Sequence, residues 1–164
     1  LEHARKRRAR VYGEVLSHGL SGSNFGVLNY DKGGDSLAKA MIEASGGRRV
    51  DYICAAANST RDLDIAETRG IKAAFREGTR DISISSVKSM IGEFDGSGGV
   101  RACAALLAIH HGVIPPTINY SAPDPDCDLD YTPNEARERK VNTALLNGFS
   151  NGGSNISILF GRFG

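Results

Sequence analysis

Lys88 stands where a short apolar strand, Ile82 to Ser85, gives way to a loop, and Glu93 follows five residues later in the stretch SSVKSMIGEF. The carboxyl ends of strands are where open α/β sheets bind their ligands, so an ammonium there can pair with an anion or support a proton relay. Read alone, it is equally an ordinary strand-end charge. Asp64 and Glu67 occupy the start of a helix delivered by another strand-to-helix connection. The helix dipole favours carboxylates at that position, so capping accounts for them without any chemistry. A buried Lys88 would need an opposite charge, and these two acids are its natural candidates. The turn Gly148 to Asn155 joins two apolar strands. Its glycines permit positive φ and close backbone approach, which suits an oxyanion hole or, equally, a tight hairpin with no ligand. His110 and His111 end a helix as partners of its C-terminal dipole. Cys54 and Cys103 fall in apolar surroundings, where buried thiols are inert.

The elements that must position these groups are legible in outline. Residues 1–8 read as the tail of a helix, and Arg10 to Ser17 alternates as a strand does. A Gly/Asn-rich loop follows from Gly19 to Asn24. From Asp35 to Ser45, Leu37, Ala40, Met41 and Ala44 share one helical face, and Gly46-Gly47 closes the helix. Asp51 to Ala57 is a nearly continuous apolar run, as expected of a strand buried on both faces. Helices are expected over Asp64 to Arg76 and Gly96 to His111, the second rich in alanine for close packing. Pro115-Pro116 stops any helix, Thr117 to Tyr120 reads as a strand, and Ser121 to Arg139 as a Pro/Asp-rich loop. Strands at Thr143 to Leu146 and Ile156 to Phe160 complete the chain. Strands alternating with helices predict an α/β fold with helices covering a sheet. The chain opens in a helix end with no strand before it, the pattern expected of a C-terminal half.

The totals narrow the function classes. At 164 residues the chain suits one domain with a sizeable core, and 40 % hydrophobic with 24 % charged residues is an ordinary globular balance. A net charge of +1 gives no reason to expect nucleic acid. The basic run Arg5 to Arg8 with Arg10 lacks interleaved aromatics and reads as a solvated helix end. No apolar run reaches the roughly 20 residues that span a bilayer, and no leader pattern is present, so neither membrane nor secretion is expected. Three cysteines without a CxxC pair argue against a disulfide scaffold and for a reducing cytoplasm. The four histidines show no metal-ligand spacing.

Several segments together resemble one family. KSMIGEFDGSGG at Lys88 to Gly99, GVIPPTIN at Gly112 to Asn119, CDLDYTPNEAR at Cys127 to Arg137 and NGFSNGGSN at Asn147 to Asn155 are similar, in order, to the β-ketoacyl-acyl carrier protein synthases of the chain-elongating type. The resemblance covers essentially residues 1–164 and is to the C-terminal domain. It implies a thiolase-like fold, a mixed sheet covered by helices, with two similar α/β halves in a subunit that pairs as a dimer. It also implies a decarboxylating Claisen condensation. A cysteine of the N-terminal half carries the acyl chain, and two C-terminal histidines act on malonyl-carrier protein. The phosphopantetheine arrives on the carrier, so no resident cofactor or metal is expected. Lys88, Asp64 and Glu67 match the family's supporting lysine, Asp and Glu. Thr60 matches one of two threonines that contact the phosphopantetheine arm, and Asn58 stands for the other. Asn147 and Phe149 match an asparagine and a phenylalanine of the C-terminal turn.

The departures from the family pattern are specific. The first catalytic histidine falls on Ala56, the second on Glu93, and a gating phenylalanine near the acyl pocket on Asn151. A methyl cannot donate a hydrogen bond, and the loss of one oxyanion donor costs about 3–4 kcal/mol of transition-state stabilisation. An ionised Glu93 would repel a developing enolate; only a strongly raised pKa would make it a donor, and Lys88 should push that pKa down, while Asp64 and Glu67 compete for the lysine and leave the outcome open. Three readings follow. The chain is half of a degenerate, chain-length-factor-like partner of an active synthase, or half of an active enzyme using Lys88 and Glu93, or an assembly half-domain contributing only an interface. The expected partners are acyl carrier protein, the N-terminal half, and a second subunit in a homodimer or heterodimer.

Overall fold

A computed structural model describes residues 1–26, 29–150 and 152–164. Five strands form one mixed sheet in the order β1 (Glu14–Gly22), β7 (Ser154–Gly161), β6 (Thr143–Phe149), β2 (Tyr52–Cys54) and β3 (Ser83–Ser85). β2 runs parallel to both β3 and β6, while β7 is antiparallel to β6 and β1. A two-residue ribbon pairs β4 (Val113–Ile114) with β5 (Arg137–Glu138). The helices are α1 (Glu2–Lys6), α2 (Asp35–Ser45), α3 (Arg61–Phe75), α4 (Lys88–Ile91) and α5 (Ser97–His111), with a 3-10 turn at Arg76–Asp81. The α/β class and the mixed sheet agree with the sequence.

The sheet separates two cores. On one side α2 and α3 bury Leu37, Met41, Ala66 and Ile71 against Ile53, Ile84, Leu145 and Leu159. On the other α5 buries Ala105, Ala108 and Ile109 against Tyr52, Cys54, Ala144 and Phe160. Successive strand residues face opposite sides, so Tyr52 and Cys54 serve one core and Ile53 the other. α2 ends as its sequence predicts: Gly46 takes φ +54° and donates its N–H to the Ile42 carbonyl. α2 and α3 meet at glycines, for a Cβ on Gly34 would lie 2.4 Å from the Gly70 nitrogen.

Some expectations shift. The first strand runs over Glu14–Gly22 rather than Arg10 to Ser17, occupying much of the expected loop, because its partner β7 reaches as far as Ser154 opposite Gly22. Thr117 to Tyr120 is not a strand; only a single bridge joins Thr117 to Pro133. Cys103 is exposed on α5, because that helix turns the residue away from the sheet, while Cys54 is buried in β2 as expected.

Candidate functional site

The carboxyl ends of β2 and β3 open into a cavity of about 630 Å³ roofed by residues 117–131. Asn58, Asp64, Glu67, Lys88 and Glu93 all line it, so five of the polar positions singled out from the sequence converge. Thr60 does not. It is exposed as the N-cap of α3, its N–H donating to the Asn58 side-chain carbonyl at 3.0 Å. Phe149 ends β6 and packs half-buried against the α2–α3 core rather than the cavity. Asn151 lies outside the described residues.

Lys88 is buried, at 8 % exposure, on the first turn of α4 rather than in a loop. Its partner is not Asp64 or Glu67. The ammonium donates at 2.6 Å to the Ala56 carbonyl and at 2.6 Å to Glu93 Oε1. The cause is local: Gly92, at φ +77° and ψ 177°, ends α4 after one turn and brings residue 93 back over the lysine. Glu93 Oε2 accepts from the Asn58 amide, so the side chain bridges the loops that follow β2 and β3. Burial alone would raise the Glu93 carboxyl, but hydrogen bonds from Lys88 and Asn58 outweigh it and hold it below the ordinary carboxylate value. Glu93 is therefore an ionised acceptor with both oxygens engaged.

Glu67 supports the site from beneath. Its two oxygens accept the N–H groups of Ala56 and Ala57 at 2.9 and 2.8 Å and the Asn147 amide at 2.9 Å. Asn147 in turn accepts from the Ser157 hydroxyl, so the carboxylate ties α3, the β2 loop and β6 together. Asp64 accepts the Asn58 N–H at 3.2 Å. Burial pushes its carboxyl up to about 6, with the Glu67 charge adding to the rise and Lys88 opposing it. Ala56, where a family histidine would stand, is buried at 1 % exposure and offers only a methyl.

Arg101 was not singled out from the sequence, although it is the only charge in the small, apolar run of α5 before His110. It is buried at 4 % exposure behind the site, and its Nη2 donates to the carbonyls of Cys54, Ala55 and Asn147. It fastens the ends of β2 and β6. Among the described residues no group of His, Cys, Asp and Glu could hold a metal ion, and no helix is long and apolar enough to cross a membrane.

Residues 12–121 match the family described as the β-ketoacyl synthase, C-terminal domain. The chain is 39 % identical to 3-oxoacyl-[acyl-carrier-protein] synthase 2 of Coxiella burnetii, covering 99 % of the chain and 41 % of that protein. It is 42 % identical to nodulation protein E of Rhizobium sp. (strain N33), covering 97 % and 40 %. A solved complex of a type II polyketide acyl-carrier protein with its ketosynthase bound to the hexaketide (AntDE:AntF) superposes with TM-score 0.94 at 31 % identity, over 99 % of this chain and 41 % of that one. The ishigamide ketosynthase/chain length factor superposes with TM-score 0.92 at 34 % identity, over 100 % and 41 %. The chain thus spans about two-fifths of the length of these relatives.

Proposed function

The chain belongs to the β-ketoacyl synthase family through its C-terminal domain, and from that premise we propose that the protein is a degenerate, chain-length-factor-like partner subunit of fatty acid or polyketide assembly. The observation that carries the reading is the latch Lys88–Glu93–Asn58. An imidazole in the place of Glu93 could donate to a thioester oxygen; a carboxylate held ionised can only accept. With Ala56 opposite, neither position supplies the donor that a decarboxylating condensation needs. The retained scaffold of Lys88, Asp64, Glu67 and Asn147 then serves to keep the strand ends in place. The proposed setting is cytoplasmic, beside the N-terminal half and paired with an active synthase or a second copy. Phosphopantetheine would be delivered by the acyl carrier protein, and no resident cofactor is required. The likeness to the ishigamide ketosynthase/chain length factor supports this pairing.

The test is a decarboxylation and condensation assay on the purified protein with malonyl- and acyl-carrier protein. No turnover is expected from this subunit alone, and robust turnover would overturn the reading. One observation favours the active alternative: Asp64, at about 6, borders the cavity and titrates near neutrality. In that case Lys88→Ala and Glu93→Gln should both abolish a measurable rate, together with an acid limb near pH 6 that Asp64→Asn removes.

A further inference from the structure

We propose that the cavity accepts a neutral acyl thioester and rejects its carboxylated counterpart, which sets its ligand class apart from the malonyl thioester that condensing relatives decarboxylate. The inference rests on the partner-subunit reading of the same site and names what that site would hold.

Four carboxylates border the cavity, Asp64, Glu67, Glu93 and Asp124, against two cations, Arg61 and Lys88. The buried cation is not available to an incoming anion, and the other stands in solvent at the rim. Lys88 is spent on Glu93 and the Ala56 carbonyl. Arg61 is exposed at the rim and lies 3.6 Å from Asp126. Arg101 is the remaining cation near Glu93, but it does not line the cavity, and its Nη2 is committed to three carbonyls behind β2.

Several of the neutral donors are committed as well. Ser86 donates to the Ala57 carbonyl, Ser89 to the Ser86 carbonyl at 2.8 Å, and Thr117 to the Tyr131 carbonyl at 2.9 Å. The Asn58 amide donates to Glu93. A carboxylate entering here would leave water, face like charges, and find these donors already engaged, which is the costly way to bury an ion. An uncharged acyl group meets Ala55, Ala57, Ile71, Ile84 and Ile118 in the lining and pays no such penalty.

Calorimetric titration of the purified protein at pH 7.5 with the amide isosteres of acetyl-pantetheine and malonyl-pantetheine tests this. The acetyl probe should bind at least tenfold more tightly. Glu93→Gln should narrow that gap at least threefold, and so should Asp124→Asn, whose rim position keeps the test independent of the buried network. Raised ionic strength should narrow it too. Equal or tighter malonyl binding, no binding of either probe, or a gap indifferent to both substitutions would overturn the proposal. Condensing turnover with the selectivity intact would overturn the partner-subunit reading alone.

Discussion

Asp64 and Glu93 face the same cavity, yet their surroundings drive them in opposite directions. Burial and the neighbouring Glu67 charge lift Asp64 to about 6, whereas two direct donors hold Glu93 below its ordinary value. The sign for Asp64 follows from proton counting. Between about pH 4 and 6 the folded protein keeps a proton there that the unfolded chain has released, so stability through this group falls as pH rises across that window. Asp64→Asn retains an acceptor for the Asn58 N–H and removes the titration. Its urea midpoint should therefore gain on the wild type's from pH 4 to 6.5, and a constant difference would refute the assignment. Thr132 offers a second single-residue test. It is 1 % exposed, its hydroxyl has no partner, and it sits at φ +47°. Thr132→Val preserves shape and backbone preference while removing the stranded hydroxyl, so it should stabilise by about 1 kcal/mol. A melting point raised by about 2–4 °C is the expected readout.

At the scale of elements, the site depends on how the ends of β2 and β6 are held, and Arg101 of α5 holds both. Arg101→Met keeps apolar bulk but withdraws the donor from three buried carbonyls, partly offset by losing an Nε that has no partner of its own. A net loss of about 2 kcal/mol is expected, read as a lower urea midpoint. The α2–α3 contact is equally unforgiving. Gly34→Ala puts a methyl against the Gly70 backbone at φ +79° and should cost more than Arg101→Met. These cases show what was readable. α2, α3 and α5 were legible because glycines and apolar spacing mark them locally. β1 was displaced because its extent is set by pairing with β7, a contact between residues far apart in sequence. The acid that pairs with Lys88 was misassigned for a similar reason. Asp64 and Glu67 lie at a suitable helix start, but only the one-turn α4 and the backbone of Gly92 reveal that Glu93 folds back. Arg101 left a faint signal, one charge in an alanine-rich helix.

The whole molecule presents an apolar surface that its own sheet does not use. α5 buries one face through Ala105, Ala108 and Ile109, while Val100, Cys103 and Leu107 recur at helical spacing on the other, with Val100 46 % and Leu107 43 % exposed. Met90, Ile91 and Phe94 are exposed just ahead of it in the chain. Scattered apolar residues mean little, but a stripe along one helix face is the pattern of a surface awaiting a partner. Relatives more than twice this length offer one candidate cover, the N-terminal half, and a second subunit offers another. Residues 1–164 expressed alone should therefore self-associate through this stripe. Sedimentation velocity should show a concentration-dependent oligomer, and Val100→Lys with Leu107→Glu should shift it toward monomer. Both positions lie on the surface, so the melting transition should stay nearly unchanged. A monodisperse wild-type monomer would refute association through this stripe.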